Sequence, residues 1–440
     1  MKSNIIGKKI YNLAEELFPI NRSITGEGVR RTLKILKKIN KNLKIFNIPS
    51  GSKAFDWVIP EEWNVKDAWI KDSKNKKIID IKKNNLHLMG YSIPVNKKIN
   101  IKELKNHLYS IKAKPNAIPY VTSYYEKKWG FCLSNSQLKK LKDKFYTVKI
   151  DSKLKKGFLN YGEILIKGKS KKEILLSTYI CHPSMANNEL SGPCVAIYLS
   201  KWINSIKSRN YSYRIVFVPE TIGSIAYLSK NYKKMKKNTV AGFQLTCLGD
   251  NRTYSFLPSR QENSLSDNVG RHILKWTYKK YKTYSWLERG SDERQYNSPG
   301  IEIPITSIMR SKYGEYPEYH TSDDNLKKVV SPKGLQGGYE VIKKSITAIE
   351  NNCYPISNMS CEPMMSKRNL YPTYQKNDQS MNHSDVLADF KLMDFLSYCD
   401  GKKSLLQIAE KCNVPIWSLY PHLEILLKNK IISKKAKLLS

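Results

Sequence analysis

The chain is poor in acid. Its 440 residues hold 38 Asp and Glu against 76 Lys and Arg, a formal net charge of +38. Hydrophobic residues at 40% and aromatics at 11% exclude a disordered, solvating chain and indicate a globular one. Long apolar runs are absent. No stretch approaches the roughly 18 apolar residues that span a bilayer, and Met1 to Ile20 carries charge throughout, without the continuous apolar segment of a secretory leader. Membrane insertion is not expected, and the cytoplasm is the expected compartment. Paired cysteines are missing too. Cys132, Cys181, Cys194, Cys247, Cys353, Cys361, Cys399 and Cys412 form no C-x-x-C pair, and most sit among apolar neighbours as reduced core cysteines do. The positive charge is not concentrated: lysines occur in every segment, beside abundant Ile, Asn and Tyr, residues that AT-rich codons favour together. Charge so spread bears on solubility and non-specific association rather than on fold, and a nucleic-acid partner is the weaker reading.

What is present divides the chain by pattern. Residues 4–18 have a helical period, with Ile5, Ile6, Ile10, Leu13, Leu17 and Phe18 on one side, and a second helix is expected from Val29 to Ile39. Between them, Asn21 to Gly28 reads as a loop. Its glycines do not make a phosphate loop, because no strand precedes them and no Lys-Ser/Thr follows in the required place. From Asn47 to Ile150 short β-rich runs (56–60, 67–72, 77–80, 118–122, 145–150) alternate with turns around the aromatic cluster Tyr124 to Cys132. A small β-rich domain at 47–150 is thus expected to interrupt the first domain. Residues 151–350 alternate strands (173–180, 213–219, 239–246, 303–309) with helices (192–207, 222–233, 265–281, 332–350). The predicted fold class is α/β, a mostly parallel sheet with helices on both faces, built from residues 1–46 and 151–352. Residues 353–383, with Pro355, Pro363 and Pro372, read as a linker. Residues 384–440 carry three short helices (Phe390–Tyr398, Ser404–Cys412, Pro415–Lys428) and the apolar pair Ile431-Ile432, which fit a winged-helix domain. Its presumptive recognition helix offers Trp417, Leu419, Tyr420, His422, Leu423 and Ile425, few of them suited to base edges. A packing or protein-interaction module is preferred to a DNA reader.

Residues with chemistry fall in loops at strand ends, where open α/β sheets place their sites. The apolar run Ile174 to Ile180 is followed by Cys181-His182-Pro183-Ser184-Met185-Ala186-Asn187-Asn188-Glu189-Leu190-Ser191-Gly192, which carries an imidazole, two amides and a carboxylate into the next helix. Further loops hold Glu220, Asp250, Asp292 with Arg294 and Tyr296, and Tyr319 with His320. Imidazole nitrogen and carboxylate oxygen are the donors that catalytic zinc accepts, and a nearby carboxylate can take the proton from a water that the ion acidifies.

The order His…Asn-x-x-Ser-Gly, Glu-x-x-Gly-Ser, Gly-Asp, Gly-Ser-Asp and His-Thr-x-x-Asp resembles the zinc aminopeptidase and glutamate carboxypeptidase superfamily. Longer markers, among them Arg22 to Gly28, Asp56 to Trp63, Ile118 to Tyr125, Trp129 to Cys132 and Glu315 to Thr321, are similar to an uncharacterised bacterial family of aminopeptidase-like proteins. That family adds a small inserted β domain and a C-terminal winged helix. The resemblance implies His182 and His320 as metal ligands. Asn188 stands where the family has a carboxylate bridging two zinc ions, and an uncharged amide bridges poorly; Glu189 is the neighbouring substitute. Asp250 is the carboxylate closest to a missing acidic ligand near Leu245-Thr246-Cys247. Glu220 is the implied general base, with Thr221 where a second acid is expected. Two zinc ions bring more charge than the retained carboxylates neutralise, so one zinc is expected on His182, His320 and a carboxylate or water, with an empty site as the other outcome. The implied activity is metal-dependent hydrolysis of an amide bond in a small, amino-terminal or acylated-amino, short-peptide-like substrate, linked to surface-polysaccharide biosynthesis. Asp292, Arg294, Tyr296, Arg310 and Tyr319 would line its pocket, the arginines suggesting an anionic substrate group. The alternatives are a catalytically silent binding or regulatory protein and, less favoured, a DNA-binding regulator. Homo-oligomerisation is left open.

Overall fold

Every residue of the strand Glu173–Tyr179 is buried, as a strand covered on both faces requires. In the computed structural model, which describes residues 5–278, 280–368, 370 and 392–435, this strand lies inside an eight-stranded sheet. The strands are β1 (Lys44–Pro49), β2 (Phe158–Ile166), β3 (Glu173–Tyr179), β4 (Ser212–Val218), β5 (Thr239–Gln244), β6 (Ser255–Leu257), β7 (Lys282–Thr283) and β8 (Thr306–Met309). Their spatial order is β1-β2-β4-β3-β5-β8-β6-β7. The central β4-β3-β5-β8 pairings are parallel; β1, β2 and β6 join antiparallel. Helices α1 (Ile5–Leu17), α2 (Glu27–Ile39), α3 (Ser191–Ser205) and α4 (Ile222–Asn238) accompany the sheet. The α/β class expected from the alternating pattern is the one observed. β8 is shorter than expected because Pro304 and the residues around it stay outside the ladder.

One polar cluster inside this sheet has no signature in the sequence. Arg214 on β4 is 2% exposed, donates to both oxygens of Glu173 on β3 at 2.7 and 3.0 Å, and reaches Glu163 on β2 and the Tyr227 hydroxyl. A buried guanidinium is tolerated only when it is bonded in this way.

Between β1 and β2 the chain builds a four-stranded antiparallel sheet, in the order Lys77–Asp80, Glu62–Lys71, Phe145–Lys155, Val95–Asn100. Trp63, Ala68, Ile70, Ile79, Ile99, Tyr146, Val148 and Ile150 contribute to its core. Two expected strands take other forms. Trp57–Val58 is one arm of a two-residue hairpin with Lys53–Ala54. Residues 118–122 are an extended segment with isolated bridges, Pro119 to Thr321 and Gly90 to Thr122, since Pro119 cannot donate to a ladder.

The chain divides into two compact units, one of Met1–Asp267 with Lys280–Glu340, the other of Asn268–Lys279 with Val341–Ser440. In the second unit, residues 392–397, Leu405–Lys411 and Leu419–Lys428 are helical. Ser404 and Gln407 form a capping box before the middle helix. Pro421 fits in the first turn of the last helix, where its missing N–H is not needed. Pro355–Ser357, at the start of the expected linker, is a strand paired with Ile432–Lys434. His272 bonds Glu410 through Nδ1 and accepts from the Ile416 N–H at 2.9 Å through Nε2. Phe390, where a helix was expected to begin, lies outside the described residues, as do 369 and 371–383 of the expected linker, 384–391 and 436–440. Among the described residues no helix is long and apolar enough to cross a membrane.

Candidate active site

β3 ends at Tyr179, and the chain leaves the sheet through Cys181 and His182. A single wide helical turn, Ala186–Leu190, then leads into α3. The Ser-Gly pair at its end has a steric reason: a Cβ on Gly192 would meet the Leu245 carbonyl at 2.2 Å, so only glycine lets α3 start against the end of β5. Asp324, the last residue of the His-Thr-x-x-Asp motif, caps the turn by accepting from the N–H groups of Asn187 at 2.8 Å and Asn188 at 2.9 Å.

The turn aims Glu189 back at His182. Glu189 Oε2 lies 2.8 Å from His182 Nδ1, so with Nδ1–H donating, Nε2 keeps its lone pair. That Nε2 lies 3.5 Å from Glu220 Oε2. Beneath the pair lies Arg22, 1% exposed. Its Nε donates to the His182 carbonyl at 3.0 Å and stands 3.7 Å from Glu189 Oε1, and its Nη1 donates to the Leu17 carbonyl at 2.7 Å. Burial pushes Glu189 up to about 8 while Arg22 pulls the other way. Burial, and then the Arg22 charge, pull His182 down to about 3, so the ring is a neutral donor.

Glu220 follows β4. Its Oε1 accepts from the Ser291 hydroxyl at 2.8 Å. Thr221 has a φ of 64°, a strained conformation for a β-branched residue. Asp292 holds it there by accepting from the Thr221 N–H at 2.7 Å, and Arg294 Nη2 donates to the Thr221 hydroxyl at 2.8 Å. Burial lifts Glu220 well above the usual carboxylate range, with Asp292 adding to the effect, and lifts Asp292 to about 7. His320 has a φ of 53° and stacks on Tyr319 at 3.9 Å. Its backbone carbonyl accepts from Tyr120 N–H at 2.9 Å, and its ring centroid lies 5.5 Å from that of His182. Burial, and then His182, pull His320 down to about 3.

These groups open onto a cavity of about 370 Å³ walled by Ile24, Trp57, Tyr120, Tyr124 and Tyr125, with Cys181, His182, Glu220 and His320 exposed to it. Its lining includes no lysine or arginine. Several solvent-shielded polar atoms around the site make no hydrogen bond: Arg22 Nη2, Asn188 Nδ2, Glu189 Oε1, Asp292 Oδ2 and His320 Nε2.

The other expected site residues are placed elsewhere. Asp250 does not face the imidazoles: its carboxylate accepts from Ser311 N–H and hydroxyl at 2.8 and 2.9 Å, from Arg252 N–H at 2.9 Å and from Asn187 Nδ2 at 3.1 Å. Arg310 does not line the cavity, since its Nε donates to the Asp250 carbonyl at 2.7 Å and its guanidinium covers the Tyr254 ring at 3.9 Å. Tyr296 is fully buried in the core, its hydroxyl 2.9 Å from that of Ser177. Arg294 reaches the cavity wall only through Thr221, and Tyr319 acts through its stack on His320. Asn188, at the bridging position, is bonded to a group that pattern reading overlooked. The Tyr179 hydroxyl lies 2.8 Å from both Asn188 Oδ1 and the Asn188 carbonyl, and 2.6 Å from the Thr246 hydroxyl.

Metal fit can be judged from these donors. Among the described residues, ligand atoms of Cys181, His182 and Glu189 lie within 4.8 Å of one another. That trio does not suit zinc: burial holds the Cys181 thiol well up in its neutral form, His182 Nδ1 is already bonded, and Arg22 brings a cation alongside. Asn188, Thr246 and Tyr179 are neutral and bonded to one another, which suits a second ion no better. His182 Nε2 and His320 Nε2 remain as the nitrogens free to hold an ion, with Glu220 Oε2 3.5 Å from the first.

Sheet, strand-exit site and helices define the class as aminopeptidase-like. A zinc aminopeptidase from Bacillus subtilis shares the fold at a TM-score of 0.56 and 13% identity, covering 77% of this chain and 94% of that one. Residues 11–352 match the domain of unknown function DUF4910, and residues 353–434 match a winged helix-turn-helix. A Clostridium acetobutylicum protein, provisionally named for polysaccharide biosynthesis with an aminopeptidase-like domain, is 44% identical over 411 residues, 93% of this chain and 92% of its own. The crystal structure of a provisionally named peptidase from Clostridium acetobutylicum aligns at a TM-score of 0.91 with 41% identity, covering 98% of this chain and 97% of that one. The chain belongs to the DUF4910 family, with the aminopeptidase-like fold and a C-terminal winged helix.

Proposed function

We propose that this chain is a single-zinc amide hydrolase acting on a small, neutral or amine-bearing substrate. One observation carries the reading: His182 Nε2 faces Glu220 Oε2 at 3.5 Å, and the unpartnered His320 Nε2 borders the same cavity. The two imidazole nitrogens would hold the ion with water completing its coordination, and Glu220 stands beside them as a carboxylate free to act on that water. A zinc ion held there would polarise the scissile carbonyl and acidify a water molecule. Glu220, fixed by Ser291 on one oxygen, presents the other to accept a proton and return it to the leaving amine. Glu189 orients His182, and Asp292 holds the strained Thr221 beside Glu220.

The walls support the substrate class. Trp57, Tyr120, Tyr124 and Tyr125 offer ring faces, and the absence of lysine and arginine from the lining speaks against the anionic substrate group that the arginines had suggested. The relative's provisional name adds a link to polysaccharide biosynthesis, for which an acylated amino sugar or aminoacyl conjugate suits the cavity. Free thiols at all eight cysteines are in keeping with a reducing, cytoplasmic setting. The winged helix is read as a packing module rather than a DNA reader.

Elemental analysis tests the proposal. About one zinc per chain is expected in the wild type, with loss on His182→Ala and on His320→Ala. Glu220→Gln should keep the zinc and abolish hydrolysis of acylated amino sugars and aminoacyl amides. No zinc at saturating concentration would instead make the chain a silent binding protein, a reading favoured by the neutral Tyr179–Asn188–Thr246 cluster.

A further inference from the structure

A second cavity, of about 270 Å³, opens in the first compact unit, and the proposed reaction makes no use of it. Its wall carries Arg252, Lys282 and Lys312 against one carboxylate, Glu315. Lys312 is the informative residue. It is 6% exposed, yet among the described residues it forms no ion pair. Its ammonium lies 4.9 Å from the centre of the Tyr284 ring and 4.8 Å from that of Tyr313, and donates one long hydrogen bond, 3.3 Å, to the Tyr313 carbonyl. Two aromatic faces offset part of the desolvation cost of a buried ammonium but satisfy none of its N–H donors in full. A buried cation without a counter-anion is costly, and it is stabilised when an anion enters beside it.

The other two cations differ in their freedom. Arg252 is held by both oxygens of Glu318, at 2.8 Å each, and so presents a fixed guanidinium. Lys282, on β7, is exposed and makes no ion pair among the described residues. The cavity thus combines a buried anchor, a guanidinium fixed on Glu318 and an exposed ammonium.

We propose that this cavity binds a small phosphate-bearing ligand, a phosphate ester or diphosphate, with Lys312 as the anchoring cation and Lys282 closing over it. The site is separate from the candidate active site, and the proposal does not depend on the hydrolase reading.

Isothermal titration calorimetry of the full chain at physiological ionic strength tests it, using pyrophosphate, inorganic phosphate and citrate as probes. At that salt the diffuse charge of the chain is largely screened. The expected result is saturable binding of one pyrophosphate per chain, with phosphate weaker. Lys312→Met should weaken pyrophosphate binding about tenfold or more, and Lys282→Gln by a smaller factor. A control with Lys139→Gln and Lys140→Gln, exposed lysines elsewhere in the unit, should change nothing. Equal affinity in Lys312→Met, Lys282→Gln and the control would overturn the site in favour of diffuse attraction. Citrate binding as tightly as pyrophosphate would overturn the phosphate class. If Lys312→Met does not fold, the paired Arg252→Gln and Lys282→Gln variant separates the same two outcomes.

Discussion

Glu189 Oε2 lies 2.8 Å from His182 Nδ1, and this hydrogen bond decides which imidazole nitrogen is left for the cavity. Glu189 is therefore an orienting residue, although its place beside Asn188 made it a substitute ligand in the sequence. Exchanging its carboxyl for an amide of the same shape isolates that role. Glu189→Gln is expected to weaken zinc binding by about 10- to 100-fold and to retain one zinc per chain at saturation. Competition with a chelator of known affinity measures this. Unchanged affinity would mean that Nδ1 needs no carboxylate.

The Tyr179 hydroxyl joins Asn188 to Thr246 at the position where a second ion would require carboxylates. Tyr179→Phe removes the shared partner and leaves two buried polar side chains under-bonded. A loss of about 1–3 kcal/mol in denaturant unfolding is expected. Zinc content should not rise, because neither remaining side chain is charged. A second equivalent of zinc in this variant would show that the hydroxyl, rather than the missing charge, keeps an ion out.

The sequence was most legible where one physical pattern dominates. Ile174 to Ile180 reads as a central strand because a strand buried on both faces is continuously apolar. His182, Glu220 and His320 stand out because polar loops at strand exits are where such sheets carry chemistry. What escaped the reading depends on contacts between distant segments. Tyr179 looks like one more apolar strand residue until its hydroxyl is seen against Thr246. Asp250 looks like a ligand until Ser311 and Arg252 are found bonded to it, and Tyr296 looks like a pocket residue until Ser177 is found opposite. Arg22 opens one of the family markers, but its place beneath Glu189 follows only from the folding of residues 21–28 against the β3 exit.

Arg30 on α2 and Glu62 on the inserted sheet form a two-pronged ion pair at 2.8 and 2.9 Å, and Glu62 also accepts from Asn64 Nδ2 and Phe158 N–H. The Arg30 guanidinium holds the Glu62 carboxyl at about 2, below its ordinary 4.5. A carboxyl depressed in the folded state stabilises the fold above its unfolded pKa and loses that contribution as the pH falls through the folded value. Glu62→Gln should thus cost roughly 2 kcal/mol near neutral pH. The gap from wild type should close between pH 4.5 and about 2. Urea melts at several pH values would show it; a gap that widens on acidification would contradict the assignment.

The winged helix offers a test of what the net charge of +38 does. On the last helix, Leu419–Lys428, the exposed positions include Glu424, Ile425 and Lys428, one residue of each sign and one apolar. Nearby, Glu410 pairs with Lys275 at 2.9 Å. Among the described residues, this helix by itself presents no cationic stripe of the kind that tracks a phosphate backbone. Each lysine that truly contacts a phosphate contributes about one unit to the slope of log affinity against log salt. Lys428→Gln and Lys430→Gln, singly and together, are therefore expected to leave the salt slope for duplex DNA unchanged, whatever weak binding the overall charge produces. Fluorescence anisotropy over a salt series measures the slope. A fall of about one unit per substitution would place DNA on this helix and restore the regulator reading.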